Sequence, residues 1–247
     1  MTSFMAIILA AGKGTRFKSE LPKVLHNIQN KPMVHHVIDA VNHCNIHNIC
    51  LVVGYKRNDV QTACKKYNAS YAIQEDQLGT GHAVICALEN IKKSQPEHCL
   101  VLAGDCPLIQ ASTLNTLIQT HINTKAAATL LTGTLSDAGN YGRIIRNSNE
   151  EITAIKEAKD CSEKELEIGE FNSGIYCFKT SELLTSIEKL TTNNAQNEYY
   201  LTDIIELLHR ENKQLSGYCI NTVYEVLGAN TQSELAELNK KAMQLAS

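Results

Sequence analysis

Of the 247 residues none is tryptophan, only four are proline and 5% are aromatic. Proline this scarce marks no linker, so the length reads as one large domain with at most a small insertion, and a hydrophobic content of 43% is enough for a sizeable core. No apolar run approaches the roughly 20 residues of a membrane-crossing helix. The stretch Phe4–Ala10 is short, lacks a basic flank and runs into a cationic loop, so it reads as a core strand, and a cytoplasmic protein is expected. Nine cysteines include no C-x-x-C pair, and an odd number on a long chain points to free, mostly buried thiols. His43, Cys44 and His47 lie close together but have no second ligand pair of matching spacing, so they read as a solvated helix end and no structural metal is assigned. A large charge of one sign is also missing. A net charge of −3 argues against a nucleic-acid partner held by a basic surface.

Two familiar phosphate-binding motifs are absent as well. A P-loop requires G-x-x-x-x-G-K-[ST], whereas Gly12 and Gly14 are one residue apart with Lys13 between them. A dinucleotide fingerprint requires G-x-G-x-x-G, and Phe17 occupies the third glycine position, where it blocks close helix-to-strand packing. What is present is Leu9-Ala10-Ala11-Gly12-Lys13-Gly14-Thr15-Arg16, continued by Leu21-Pro22-Lys23-Val24-Leu25. Pro22 disfavours helix at Leu21, so the loop is expected to stay extended past Gly14. Lys13, Arg16, Lys18 and Lys23 face a single acid, Glu20, within it. A strand feeding a cationic glycine loop offers backbone N–H groups and fixed positive charge to a small polyphosphate.

Apolar runs at Phe4–Ala10, Ile49–Val53, Ser70–Gln74 and Cys99–Ala103 alternate with amphipathic stretches. Met33, Val34, Val37, Ile38 and Val41 share one helix face behind Pro32, and Ala83, Val84, Ala87, Leu88 and Ile91 share another behind Gly81. This βα rhythm predicts an α/β fold of Rossmann type, a mostly parallel sheet with helices on both faces and a crevice at the strand carboxyl ends. From Ala126 the rhythm changes to Ala126–Leu135, Gly142–Arg146, Glu151–Glu157 and Asn172–Phe178, with a hairpin turn at Arg146-Asn147-Ser148-Asn149, which reads as a smaller antiparallel addition beside the cleft. A helix through Tyr200, Leu201, Ile204, Ile205 and Leu208, a strand near Leu215–Ile220 and a polar helix Gln232–Ala246 complete the pattern.

Asp105 follows the apolar run Leu100–Ala103, with Gly104 allowing close approach and Pro107 preventing an immediate helix, so its carboxylate is expected at the strand's carboxyl edge as a magnesium ligand. The other reading is a cap for a helix opening at Ala111, a role Ser112 can fill itself. By pattern alone Gln74 is a strand-end surface residue and Asn230 a turn or helix-capping residue. Gly79 and Gly81 flank Thr80 at a helix start, where glycine costs propensity, and this favours close approach of a ligand.

The L-A-A-G-x-G-T-R…L-P-K segment resembles the nucleotidyltransferases that join a sugar phosphate to a nucleoside triphosphate. Together with Gln77-Leu78-Gly79-Thr80-Gly81-His82-Ala83, Ala103-Gly104-Asp105, Tyr141-Gly142-Arg143 and Asn194 to Tyr200, it is similar to the uridylyltransferase part of the N-acetylglucosamine-1-phosphate uridylyltransferases. The resemblance implies UTP and N-acetylglucosamine-1-phosphate as substrates, Mg2+ as cofactor, and a cytoplasmic role in supplying cell-wall precursors for peptidoglycan and lipopolysaccharide. It implies Arg16, Lys23 and Asp105 at the reacting phosphates, with Asn230 as a second metal ligand. It sets Leu9, Ala10, Ala11, Gly12, Lys13, Gly14, Gln74, Gly79, Thr80, Ala103 and Gly104 against the nucleotide, and Gly142, Glu157, Asn172, Tyr200 and Thr202 against the sugar. Residues 1–230 would form the transferase domain and 231–247 a C-terminal helix. Relatives of this kind continue into a left-handed β-helix that acetylates and trimerises. No such repeats occur here, so uridylyl transfer without acetyl transfer, and a monomer or weak oligomer, is expected. The motifs also leave open a transferase for glucose or mannose phosphate, and a nucleotide-binding module without catalysis.

Overall fold

Alternation along the first strand divides the core into two faces. The computed structural model describes residues 2–246, so the expected domain bounds at Met1 and Ser247 lie outside the described residues. In chain order the strands are β1 (Phe4–Ala10), β2 (Asn27–Ile28), β3 (Lys31–Pro32), β4 (Ile49–Val53), β5 (Ser70–Ile73), β6 (His98–Ala103), β7 (Ala128–Thr134), β8 (Arg143–Arg146), β9 (Ile152–Lys156), β10 (Glu170–Lys179) and β11 (Leu215–Cys219). The helices are α1 (Met33–His43), α2 (Arg57–Cys64), α3 (Thr80–Cys86), α4 (Leu88–Ser94), α5 (Ala111–Thr124), α6 (Glu163–Leu166), α7 (Thr180–Ile187), α8 (Asp203–Arg210) and α9 (Gln232–Ala246). Successive side chains of a strand point to opposite faces. Ala6, Ile8 and Ala10 therefore join the cluster under α1 and α5, while Met5 and Ile7 join the one under α3, α7 and α8.

The sheet runs β11-β7-β10-β6-β1-β4-β5 and has nine strands, with β8 and β9 attached at the side. β1 pairs in parallel with β4 and β6, and β4 with β5, as the βα rhythm predicts. The antiparallel part is fused to this sheet, because β10 lies antiparallel between β6 and β7 and extends to β8 through Phe171 and Arg143. Asn147 closes the β8–β9 hairpin, its Oδ1 accepting from the N–H groups of Asn149 at 2.9 Å and Glu151 at 3.0 Å. The second predicted helix is broken at Ala87 into α3 and α4. Helix α5 is not started by Ser112. Glu225 reaches from a distant loop to accept from Thr113 Oγ1 at 2.6 Å and from the Gln110 N–H at 3.3 Å, a tertiary cap that local sequence does not reveal. A third cluster joins Phe17, Ile28 and Met33 to Leu238 and Ala242 of α9, so the C-terminal helix packs beneath the first loop. Five of the nine cysteines are buried and all are free.

One polar network crosses the core away from the strand carboxyl ends. His98 Nδ1 lies 2.9 Å from His121 Nε2, and His121 Nδ1 lies 2.9 Å from Thr129 Oγ1, tying β6 to α5 and β7. Burial, and then the neighbouring His98, holds the His121 imidazole down at about 4, and burial lowers His98 too. A folded-state value below the unfolded one means that the unfolded chain binds more protons. Stability is then complete above the ordinary histidine range and declines as pH falls from 6.5 toward 4. Urea titrations at pH 7.5 and 5.0 are expected to show a loss of about 2 kcal/mol that His121→Asn, which cannot be charged, largely avoids. An equal loss in both proteins would contradict this role.

Candidate active site

Leu9 of β1 is level with Ala103 of β6, and Ala10 with Val53 of β4, so three parallel strands end side by side. That edge is where an open α/β sheet places its ligand crevice. The loop leaving β1 is not extended throughout. Thr15–Phe17 forms a single 3-10 turn after Gly14, whose φ of 64° suits glycine, and Pro22 caps a second turn at Lys23–Leu25. The first turn points Phe17 down into the third cluster and leaves Lys13, Arg16 and Lys18 in solvent. Burying that ring contributes about 2 kcal/mol and anchors an otherwise charged loop. Lys13 Nζ lies 5.4 Å from the centre of the Tyr55 ring. Arg16, Thr80, Glu157 and Asn230 line one cleft of about 1020 Å³.

Lys23 turns inward. Its ammonium pairs with Asp105 and donates to Asn230 Oδ1 at 2.5 Å, with the Lys23 and Asp105 side chains only 14% and 18% exposed. Two glycines make room for this cluster: a Cβ on Gly14 would lie 2.7 Å from Lys23 Cβ, and one on Gly228 would lie 3.0 Å from Asp105 Oδ2. Gly104 donates to Leu9 O at 2.9 Å, and a Cβ there would also lie 2.9 Å from that oxygen, so the approach to Asp105 hugs β1. Asp105 caps no helix. Asn230 is not the cap of α9 either, since Thr231 Oγ1 accepts from the Glu234 N–H at 3.2 Å, which leaves the Asn230 amide to Lys23. One charged and one neutral oxygen thus converge on a single cation, a donor pair suited to a hard divalent ion that takes its other ligands from phosphate and water. Among the described residues no group of three or more His, Cys, Asp or Glu side chains could hold a metal by itself.

On the side next to β5, Gln74 is buried at 4% exposure, against the surface position expected from pattern. Its Nε2 donates to Gly79 O at 3.0 Å, and Gln77 Nε2 donates to Ala11 O at 2.9 Å. Gly79 and Gly81 have a packing reason. A Cβ on Gly79 would lie 2.6 Å from Tyr199 O and one on Gly81 would lie 2.8 Å from it, and the Gly81 N–H donates to that oxygen at 2.7 Å. Thr80 Oγ1 accepts from the Leu201 N–H at 3.2 Å, so the 199–202 segment is stapled to the 78–81 loop.

That staple brings the other candidates across the cleft. Thr202 Oγ1 donates to Glu157 Oε1 at 3.0 Å, a Cβ on Gly142 would lie 3.5 Å from Glu157 Oε2, and Gly142 O accepts from the Asn172 N–H at 2.8 Å. Burial holds the Glu157 carboxyl above its usual range. Tyr200 is buried beside them. Asn172 opens an irregularity in β10 where Gly174 takes a φ of 77°, and its Nδ2 donates to the Tyr176 hydroxyl at 2.6 Å. Tyr141 packs on Phe171 with ring centres 4.7 Å apart. Sequence reasoning gave no role to Arg143, whose buried guanidinium donates to the carbonyls of Tyr141 and Gly139 and fixes the lip of the cleft. Gly228 was also missed, although its place two residues before Asn230 was a usable signal.

Comparison with known proteins finds relatives along nearly the whole chain. The chain is 48% identical over 233 residues to the bifunctional protein GlmU of Clostridium perfringens strain SM101, covering 94% of this chain and 51% of that protein. It is 45% identical over 232 residues to the bifunctional protein GlmU of Clostridium botulinum strain Loch Maree, with 94% and 50% covered. The chain thus spans about half the length of the curated relatives it matches. A solved Bacillus anthracis structure, described as a glucose-1-phosphate thymidylyltransferase in complex with a sucrose, superposes with a TM-score of 0.74 at 20% identity, covering 97% of this chain and 95% of that one, and so shares the fold. Residues 6–194 match the model of the MobA-like NTP transferase domain, and the chain belongs to that family.

Proposed function

We propose that the protein transfers UMP from UTP to N-acetylglucosamine-1-phosphate, forming UDP-N-acetylglucosamine and releasing pyrophosphate. The observation that carries this reading is the cation position between Asp105 and Asn230, set at the ends of β1 and β6 in a cleft that also exposes Arg16, Thr80 and Glu157. Close similarity along almost the whole chain to the GlmU proteins supports it.

The reaction needs no protein nucleophile. A sugar phosphate is largely doubly ionised near neutral pH, and one of its oxygens attacks the α-phosphorus of UTP. The new P–O bond forms as the bond to the β-phosphate breaks, and the electron pair leaves with pyrophosphate. The obstacle is the approach of two anions, so positioning and positive charge supply most of the acceleration. In this reading Lys23 holds the phosphate oxygens nearest the reacting phosphorus, while Lys13 and Arg16 hold the departing pyrophosphate. A Cβ on Gly12 would meet no protein atom within 4 Å, which supports its backbone, with that of Gly14, as a surface for phosphate. Asp105 and Asn230 would hold Mg2+, which would supply divalent charge to offset the mutual repulsion of the phosphates. Lys23 must then give up at least one of its present partners.

Uracil lies against Gln74, Gly79 and Thr80, beside Leu9, Ala10 and Ala11, with Ala103 and Gly104 under the ribose side. Glu157 and Thr202 accept from sugar hydroxyls, Asn172 and the Gly142 N–H meet the N-acetyl carbonyl, and Tyr200 closes the pocket. We further propose residues 1–230 as the transferase unit with α9 bracing it, a monomer or weak oligomer, and action in the cytoplasm. Among the described residues no helix is long and apolar enough to cross a membrane.

Pyrophosphate release is expected only when UTP, Mg2+ and N-acetylglucosamine-1-phosphate are all present, with glucose- and mannose-1-phosphate at least about tenfold slower in kcat/KM. Turnover that prefers another sugar phosphate would overturn the substrate assignment, and none with any would overturn the activity. Asp105→Ala is expected to lower kcat by roughly 100-fold or more while UTP affinity changes little, and Lys23→Ala to lower it comparably. Near-normal rates for Asp105→Ala in magnesium would contradict the metal role.

A further inference from the structure

We propose that His82 determines which base is accepted by locking the side-chain amide of Gln74. This deepens the uridylyl reading, on which it rests, and makes His82 a positioning residue that acts through Gln74.

A glutamine amide can present either end to a ligand, and in water the two orientations are interchangeable. Here the choice is made by a group that cannot reverse. Gln74 Nε2 lies 3.0 Å from Gly79 O, and a backbone carbonyl only accepts, so the nitrogen end must face it. The same nitrogen lies 3.2 Å from His82 Nδ1. That ring atom is therefore the acceptor of the second amide proton, and the ring's own proton sits on Nε2. Nε2 faces Cys86 Sγ at 3.9 Å, and burial pushes the Cys86 thiol up, so the sulfur is uncharged and free to accept. The ring plane is held as well. Tyr199 stacks on it at 6.2 Å between centroids, and Tyr199 is fixed by its N–H on Leu78 O at 2.8 Å and its carbonyl on the Gly81 N–H at 2.7 Å.

Both amide protons are thereby occupied inside the protein. What Gln74 can still offer is its carbonyl oxygen, to which no protein donor is directed among the described residues. Uracil carries an N–H at N3, which pairs with such an acceptor. Cytosine carries a lone pair at N3, which that oxygen repels. An amide free to turn would serve either base, whereas one held by two acceptors pairs with the N3–H of uracil and leaves the N3 of cytosine unpaired, the arrangement by which polar sites discriminate most strongly. His82 contributes one of the two holds, and its loss weakens the lock by leaving Gly79 O alone to orient the amide.

The test compares wild type, His82→Asn and His82→Leu by titration calorimetry with UTP and CTP in Mg2+. Asparagine keeps an acceptor oxygen where Nδ1 was, and leucine removes it. The UTP-over-CTP preference is expected to fall by about tenfold in His82→Leu and to stay within about threefold of wild type in His82→Asn. Thermal melts check that the variants are folded, and a purely structural role would weaken both nucleotides alike. A folded His82→Leu that keeps the wild-type preference overturns the proposal while leaving the uridylyl reading intact. A wild type that binds neither nucleotide, or prefers CTP, overturns both. Nitrogen-15 spectra of the imidazole in the wild-type protein give a check that needs no variant: the proton is expected on Nε2 of His82, and a proton on Nδ1 contradicts the lock.

Discussion

The ion pair between Lys23 and Asp105 is the constraint around which this molecule is arranged. It joins three pieces of chain remote in sequence: the loop after β1, the end of β6 and the segment before α9, which adds Asn230. Neither charge is free in solvent, and removing one partner from such a pair leaves the other uncompensated. Gly14 and Gly228 are the sites at which a side chain would collide with it, and Phe17, buried with Leu238 and Ala242, holds the loop in reach. The cluster is also unfinished as a structural device. The two oxygens around this ammonium are the pair proposed to take a divalent cation when phosphate arrives.

A second constraint couples the two walls of the cleft. The carbonyl of Tyr199 packs so closely on Gly79 and Gly81 that neither position has room for a Cβ, and Leu201 N–H rests on Thr80. The loop proposed to meet the base and the segment proposed to meet the sugar therefore form one unit, continued through Thr202 to Glu157 and Gly142. A substrate spanning both halves would find its two subsites already set at a fixed separation, which lowers the ordering cost of binding.

Much of this was legible in the sequence, for reasons that can be named. Unbroken apolar runs in β1, β4 and β6 signal buried parallel strands, and Lys13, Arg16 and Lys23 concentrate charge in one loop. What stayed hidden depends on contacts between distant residues. The capping of α5 by Glu225, the burial of Gln74 and the placement of β10 inside the main sheet leave no local trace. The glycines at 79 and 81 show the limit most clearly. The sequence says that a close approach occurs there, and the structure shows that the protein's own backbone makes it.

The central claim is that a divalent-cation position at the end of β6 and the cationic loop after β1 hold two phosphates end to end. A crystal structure of the protein soaked with UDP-N-acetylglucosamine and Mg2+ tests it most directly. The account predicts the diphosphate between Lys23 and Asp105, with the metal on Asp105 and Asn230, uracil against Gln74 and the sugar beside Glu157. A diphosphate bound away from that loop and that aspartate would contradict it.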